Sequence, residues 1–170
     1  MNWKTFIREI PDFPQPGILF RDITPLLANG EAYRQAINTL ADFARDLKAE
    51  LIVGPEARGY VVGAPLAFAL EAGFVPVRKK GKLPGQTISV QYGLEYGSDV
   101  LEIHKDAITT GQRIVVADDL LATGGTMSAT IELVQKLGGN VVGAAFLIEL
   151  SELAGRNKLG NLDIFTLVQY

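Results

Sequence analysis

A chain of 170 residues, 48% hydrophobic and 21% charged, is one globular domain's worth and long enough to bury a sizeable core. Lys and Arg number 16 against 19 Asp and Glu, and the formal charge of −3 argues against a dedicated nucleic-acid binder, which needs a broad basic field. The absence of cysteine excludes disulfides, thiolate catalysis and cysteine-ligated metals.

In chain order, MNWKTFIREIPDF lacks an apolar core followed by a small-residue cleavage site, so no signal peptide is expected. The longest uncharged stretches, near 60–70 and 138–148, fall short of the roughly 18 residues a membrane span needs. The expectation is a soluble, cytoplasmic protein with no membrane partner. Residues 32–48 predict a long amphipathic helix, with Tyr33, Ile37, Leu40, Phe43, Ala44 and Leu47 as its inner stripe. LIVG at 51–54 predicts a buried strand, and residues 60–72 a helix in which Pro65 must lie near the first turn or cause a kink. Gly73 is a plausible helix stop, after which FVPV at 74–77 resumes a strand.

Residues 80–99 differ from their surroundings, holding Gly81, Pro84, Gly85, Gly93 and Gly97. With ISVQY at 88–92 and VLEIH at 100–104, this region predicts a hairpin whose tip and flanks move, the habit of a lid spanning about 80–104. IVVA at 114–117 predicts a strand, about 126–137 a helix ending at Gly138-Gly139, and 141–148 and 163–168 two further strands. Strand, helix and strand repeated twice predict an α/β fold with a central, mostly parallel sheet flanked by helices. Ligands then bind at the carboxyl ends of strands, where the loops 54–59 and 118–126 both fall.

The second of these loops carries a contradiction. Asp118 and Asp119 end an apolar strand, yet Ala122-Thr123-Gly124-Gly125-Thr126 follows at a helix start suited to an anion. Free amides and the helix dipole attract negative charge there, while glycines let a ligand approach closely. A plain turn with Thr123 or Thr126 as N-cap competes with this reading. Two carboxylates ending a buried strand need a cation or hydrogen-bond donors. A ribose 5-phosphate meets both demands: its phosphate takes the loop and its hydroxyls face the acids. The sequence has neither Gly-x-Gly-x-x-Gly after a strand nor Gly-Lys-Ser/Thr, so dinucleotide and P-loop sites are not indicated.

VVADDLLATGGT resembles the phosphoribosyl-pyrophosphate motif of the type I phosphoribosyltransferases. PGILFRDITPLL at 16–27, EARG at 56–59, RKKGKLPG at 78–85, YGLEYGSDVLEIHKDA at 92–107 and LLATGGT at 120–126 extend the resemblance in family order, and LPG followed by LEYG resembles the adenine-specific branch. The resemblance implies transfer of a phosphoribosyl group from 5-phosphoribosyl 1-pyrophosphate to adenine. It also implies Mg²⁺ as cofactor, a homodimer, and a single domain with a small N-terminal hood over the base at residues 1–30.

Carried over residue by residue, the resemblance puts the 5-phosphate on Ala122, Thr123, Gly124, Gly125 and Thr126. Asp118 and Asp119 take the ribose hydroxyls, directly or through water and Mg²⁺ otherwise held by substrate oxygens. Pyrophosphate is expected on Arg58 and on the basic run Arg78, Lys79 and Lys82, although most such runs are solvated loops. Phe20, Arg21 and Leu120 map to the base pocket, with ordinary core as the competing reading for Phe20. Glu95 is the expected proton-transfer group and Tyr96 its neighbour in closure, against the plainer reading of a solvent-exposed glutamate. His104, the single histidine, reads as structural. The alternatives are the same chemistry on hypoxanthine, guanine or xanthine, or a non-catalytic regulator that keeps the site.

Overall fold

The computed structural model describes residues 1–94 and 97–170, with nothing said of the Leu94 side chain. A short antiparallel pair, β1 (Arg8–Ile10) with β2 (Phe20–Asp22), precedes α1 (Thr24–Ala28) and α2 (Gly30–Asp46). The main sheet follows as β3 (Leu51–Pro55), α3 (Arg58–Leu70), β4 (Gly73–Lys79), β5 (Thr87–Leu94) and β6 (Gly97–His104). It is completed by β7 (Arg113–Leu121), α4 (Gly125–Lys136), β8 (Asn140–Glu149) and β9 (Ile164–Gln169).

Seven strands lie in the order β5-β6-β4-β3-β7-β8-β9. From β4 through β9 neighbours run parallel, while β6 is antiparallel to β4 and pairs with β5 as a hairpin. The central strands carry buried apolar runs, such as 51–53, 114–117 and 144–148, because both of their faces are covered. On one face Ile52, Val115, Ala117, Ala145 and Leu147 pack with Ile37 and Leu40 of α2 and Val62 and Leu66 of α3. On the other, Val53, Ile114, Val116, Ala144 and Phe146 pack with Met127, Leu133 and Val134 of α4.

The chain leaves β3 toward β4 on one side, and from β7 it proceeds to β8 and β9 on the other. The topological switch point therefore lies between β3 and β7, which pair Leu51 with Ile114 and Val53 with Val116. There the two following helices diverge and leave a crevice at the carboxyl ends.

Two expectations are made more definite. The hairpin strands run eight residues each and belong to the edge of the main sheet. Pro65 lies well inside α3, beyond the first turn. Proline has no N–H, so the carbonyl of Val61 one turn earlier loses its usual donor. The hydroxyl of Tyr33, on α2, donates to that carbonyl instead. Asn29 caps α2 by accepting from Ala32 N–H at 3.0 Å, which sets the start of the helix that carries Tyr33. Tyr33→Phe should therefore lower the unfolding free energy by about 1 kcal/mol. The check is a lower urea midpoint at unchanged m-value; an unchanged midpoint would show that the Val61 carbonyl does not need this donor.

Candidate active site

The crevice at the switch point is a cleft of about 880 Å³. Its wall on the β7 side is Asp118, Asp119, Leu120 and Leu121, then Ala122 through Met127; Arg58, Gly93 and Lys158 complete the lining. Asp118, Asp119, Leu120, Arg58 and the whole of 122–126 are thus brought together as the sequence implied.

Neither threonine of the loop caps α4. Gly124 is the N-cap, with no side-chain hydrogen bond to the free amides of the first turn. The N-terminus of α3 after Ala57 is likewise without a capping side chain. Two helix ends with available amides and positive dipoles therefore belong to the loops on either side of the switch point. The Glu56–Ala57 peptide before α3 is cis.

Glycine is required where this loop meets its support. Gly124 has φ +80°, and a Cβ there would lie 2.6 Å from the carbonyl oxygen of Gly155. A Cβ on Gly155 would lie 2.2 Å from the carbonyl oxygen of Ala122, so the two backbones touch with no room for a side chain.

Asp119 is only 4% exposed. Its Oδ2 lies 3.1 Å from Nε of Arg58, whose guanidinium carbon stands 5.3 Å from the Phe20 ring centre. Asp118 accepts from the Asp119 N–H at 2.8 Å through Oδ1. Burial, then the neighbouring Asp119 charge, holds Asp118 well above the usual carboxylate range. Burial raises Asp119 as well, against the opposing pull of Arg58.

Other predicted residues lie outside the cleft lining. Arg78 donates from Nε and Nη2 to Oε2 of Glu56 at 3.2 and 3.0 Å, and from Nη1 to the Lys82 carbonyl at 3.0 Å. Lys79 Nζ pairs with Asp99 Oδ2 at 2.8 Å. Arg21 turns its guanidinium onto the Tyr170 ring, 3.7 Å from the centre, and pairs with Glu9. His104 Nε2 meets the Pro84 carbonyl at 2.8 Å, in keeping with a structural role. Glu95 and Tyr96 lie outside the described residues.

The sequence reading missed Gly93, Leu121, Met127 and Lys158. For Lys158 a signal existed: it follows β8, whose carboxyl end faces the same side as the two loops already singled out.

Residues 24–167 match the family model described as the phosphoribosyl transferase domain. The chain belongs to this family. It is 61% identical over 170 residues to the adenine phosphoribosyltransferase of Brevibacillus brevis, with 100% of each chain covered. The crystal structure of adenine phosphoribosyltransferase from Thermoanaerobacter pseudethanolicus is similar at a TM-score of 0.95 and 56% identity, covering 98% of this chain and 97% of that one. The enzyme of Saccharomyces cerevisiae, complexed with an imino-altritol bisphosphate and adenine, is similar at 0.91 and 43%, covering 97% and 96%.

The buried acids make a stability prediction. A carboxyl group whose pKa is raised by folding destabilises the folded chain where it is ionised, and the penalty fades as pH falls through the folded pKa. Asp118→Asn removes that charge while keeping an oxygen acceptor for the Asp119 N–H. The variant should melt higher than wild type at about pH 7.5, with the gain shrinking toward about pH 4, where Asp118 is protonated. A midpoint unchanged or lowered at the higher pH would contradict the burial argument.

Proposed function

We propose that the chain is an adenine phosphoribosyltransferase of purine salvage, joining adenine to 5-phosphoribosyl 1-pyrophosphate to give AMP and pyrophosphate. The observation that carries the sugar-phosphate part is the pair Asp118 and Asp119 beside the uncapped start of α4, across the switch point from Arg58. The choice of adenine is supported by full-length similarity to enzymes of that name.

In this reading the free amides of 123–126 and the hydroxyls of Thr123 and Thr126 hold the 5-phosphate. Asp118 and Asp119 accept hydrogen bonds from the ribose hydroxyls and favour positive charge at C1 as its bond to pyrophosphate lengthens. The start of α3 and Arg58 receive the departing pyrophosphate, with Arg78, Lys79 and Lys82 behind them. Phe20 and Leu120 enclose the base, held in line with C1 as the new C1–N bond forms. The purine imidazole proton passes to Glu95, and Tyr96 closes over the site as the hairpin 80–104 acts as a lid beneath the hood 1–30.

No group of three or more metal-ligating side chains occurs among the described residues. Two buried acids whose pKa values are raised fit a hard cation that takes its remaining ligands from substrate oxygens. Asp118 and Asp119 would hold Mg²⁺ on the protein side, where it would neutralise pyrophosphate charge. A homodimer in the cytoplasm is part of the same proposal; no helix among the described residues is long and apolar enough to cross a membrane.

The test is nucleotide formation from 5-phosphoribosyl 1-pyrophosphate and Mg²⁺ with adenine, hypoxanthine, guanine or xanthine. AMP is expected to form at least about a hundredfold faster than any other product. Faster product from another base would break the adenine assignment, and binding with no product would favour a regulatory role. Glu95→Gln should lower kcat by about 10²–10⁴-fold with KM little changed; undiminished turnover would remove Glu95 from the mechanism.

A further inference from the structure

The phosphate loop leaves a charge problem that it does not solve by itself. Residues 122–126 contain no cationic side chain. Arg58, the arginine lining the cleft, is engaged with Asp119 at 3.1 Å. A phosphate ester arriving here meets two carboxylates and one guanidinium already committed, and at these distances Coulomb repulsion in a partly dry cleft is substantial. Lys158 is the other cation lining the cleft, and among the described residues it forms no ion pair.

Its position is held from both sides. Gly155–Lys158 is a single 3-10 turn. Within it Arg156 donates from Nε and Nη2 to the two oxygens of Glu149 at 2.6 and 2.8 Å. Glu149, buried at the end of β8, also accepts from Thr166 Oγ1 at 3.1 Å and Gln169 Nε2 at 3.0 Å, so the anchor reaches across to β9. On the far side Leu159 is buried in the same cluster as Leu121 and Met127. Gly155 packs its backbone directly on Ala122 and Gly124. Lys158 thus stands exposed between two anchored neighbours, on a turn pressed against the loop. A compact ammonium on a flexible stem suits a phosphate dianion whose main recognition comes from fixed amides.

We propose that Lys158 is the side-chain cation for the sugar 5-phosphate. The assignment rests on the phosphoribosyl reading above, and it separates Lys158 from the cations set aside for pyrophosphate. Neutralisation of the phosphate then comes from a strand-end loop outside the familiar sequence motif, which is why the motif itself needs no lysine.

Titration calorimetry of ribose 5-phosphate and of pyrophosphate with Mg²⁺, each against wild type and Lys158→Met, tests this. The variant should bind ribose 5-phosphate roughly tenfold more weakly or worse, as expected for loss of a charged hydrogen bond. Pyrophosphate affinity should stay within about twofold, and Lys158→Arg should retain most of the ribose 5-phosphate affinity. In turnover, KM for 5-phosphoribosyl 1-pyrophosphate should rise by a similar factor with kcat within about threefold. Equal ribose 5-phosphate affinity in wild type and K158M overturns the proposal, as does a loss confined to pyrophosphate. Failure of wild type itself to bind ribose 5-phosphate would instead overturn the phosphoribosyl reading.

Discussion

Two carboxylates at the end of a buried strand repel each other and any anion brought beside them, and the construction of the cleft answers that repulsion. Asp118 and Asp119 lie where β3 and β7 adjoin and the chain turns away in opposite directions. That geometry brings the starts of α3 and α4 to the loops beside the acids, both without capping side chains. Positive helix ends, the Arg58 guanidinium and the peptide N–H of Asp119 all act on charges that burial alone would make prohibitive. The pKa of each acid is still raised, so the compensation is incomplete. The proposed function answers what remains with hydroxyl donors and a cation.

A second consequence of the same constraint is close backbone packing. Dipoles and amides act over short distances, so the loop must present its main chain to the ligand. Gly124 and Gly155 allow two main-chain segments to touch on the reverse side of this loop. Gly59 at the start of α3 leaves room instead for side chains: a Cβ there would fall 3.1 Å from Oδ1 of Asp118 and 2.9 Å from the ring of Pro55. Rigid support for these contacts comes from Glu149, whose carboxylate joins β8, β9 and the 155–158 turn through Arg156, Thr166 and Gln169. The loop at 122–126 is therefore tied through the 155–158 turn to the end of the sheet.

This explains what the sequence made legible. Strands such as 114–117 stand out because both faces are buried and every residue is apolar. The loop at 122–126 stands out because its small residues at a strand-to-helix junction follow two adjacent acids, which a plain turn does not explain. Pro65 allows two readings from sequence because the group that relieves it, the Tyr33 hydroxyl, is distant in sequence and visible only once α2 packs on α3. For Lys158 the sequence offers only its place after β8; its position beside the loop depends on Arg156 reaching Glu149 and on Gly155 meeting Ala122. The basic run at 78–82 was legible as charge, but its pairing with Glu56 and Asp99 belongs to tertiary structure.

Those pairings bear on how anions are recognised here. Arg58 rests on Asp119, Arg78 on Glu56 and Lys79 on Asp99, each cation already facing a carboxylate of the same chain. A pyrophosphate that recruits any of them exchanges one ion pair for another, so its net attraction is the difference between two similar interactions. In the proposed function long-range charge then contributes little selectivity, consistent with the net negative charge of the chain. On that proposal selectivity falls instead to features that a carboxylate on a fixed backbone cannot imitate: fixed amide directions at two helix starts and simultaneous engagement of sugar hydroxyls. Of the two cations lining the cleft, Arg58 is paired and Lys158 forms no ion pair among the described residues, so in the proposed reading Lys158 has no carboxylate to exchange for an incoming phosphate.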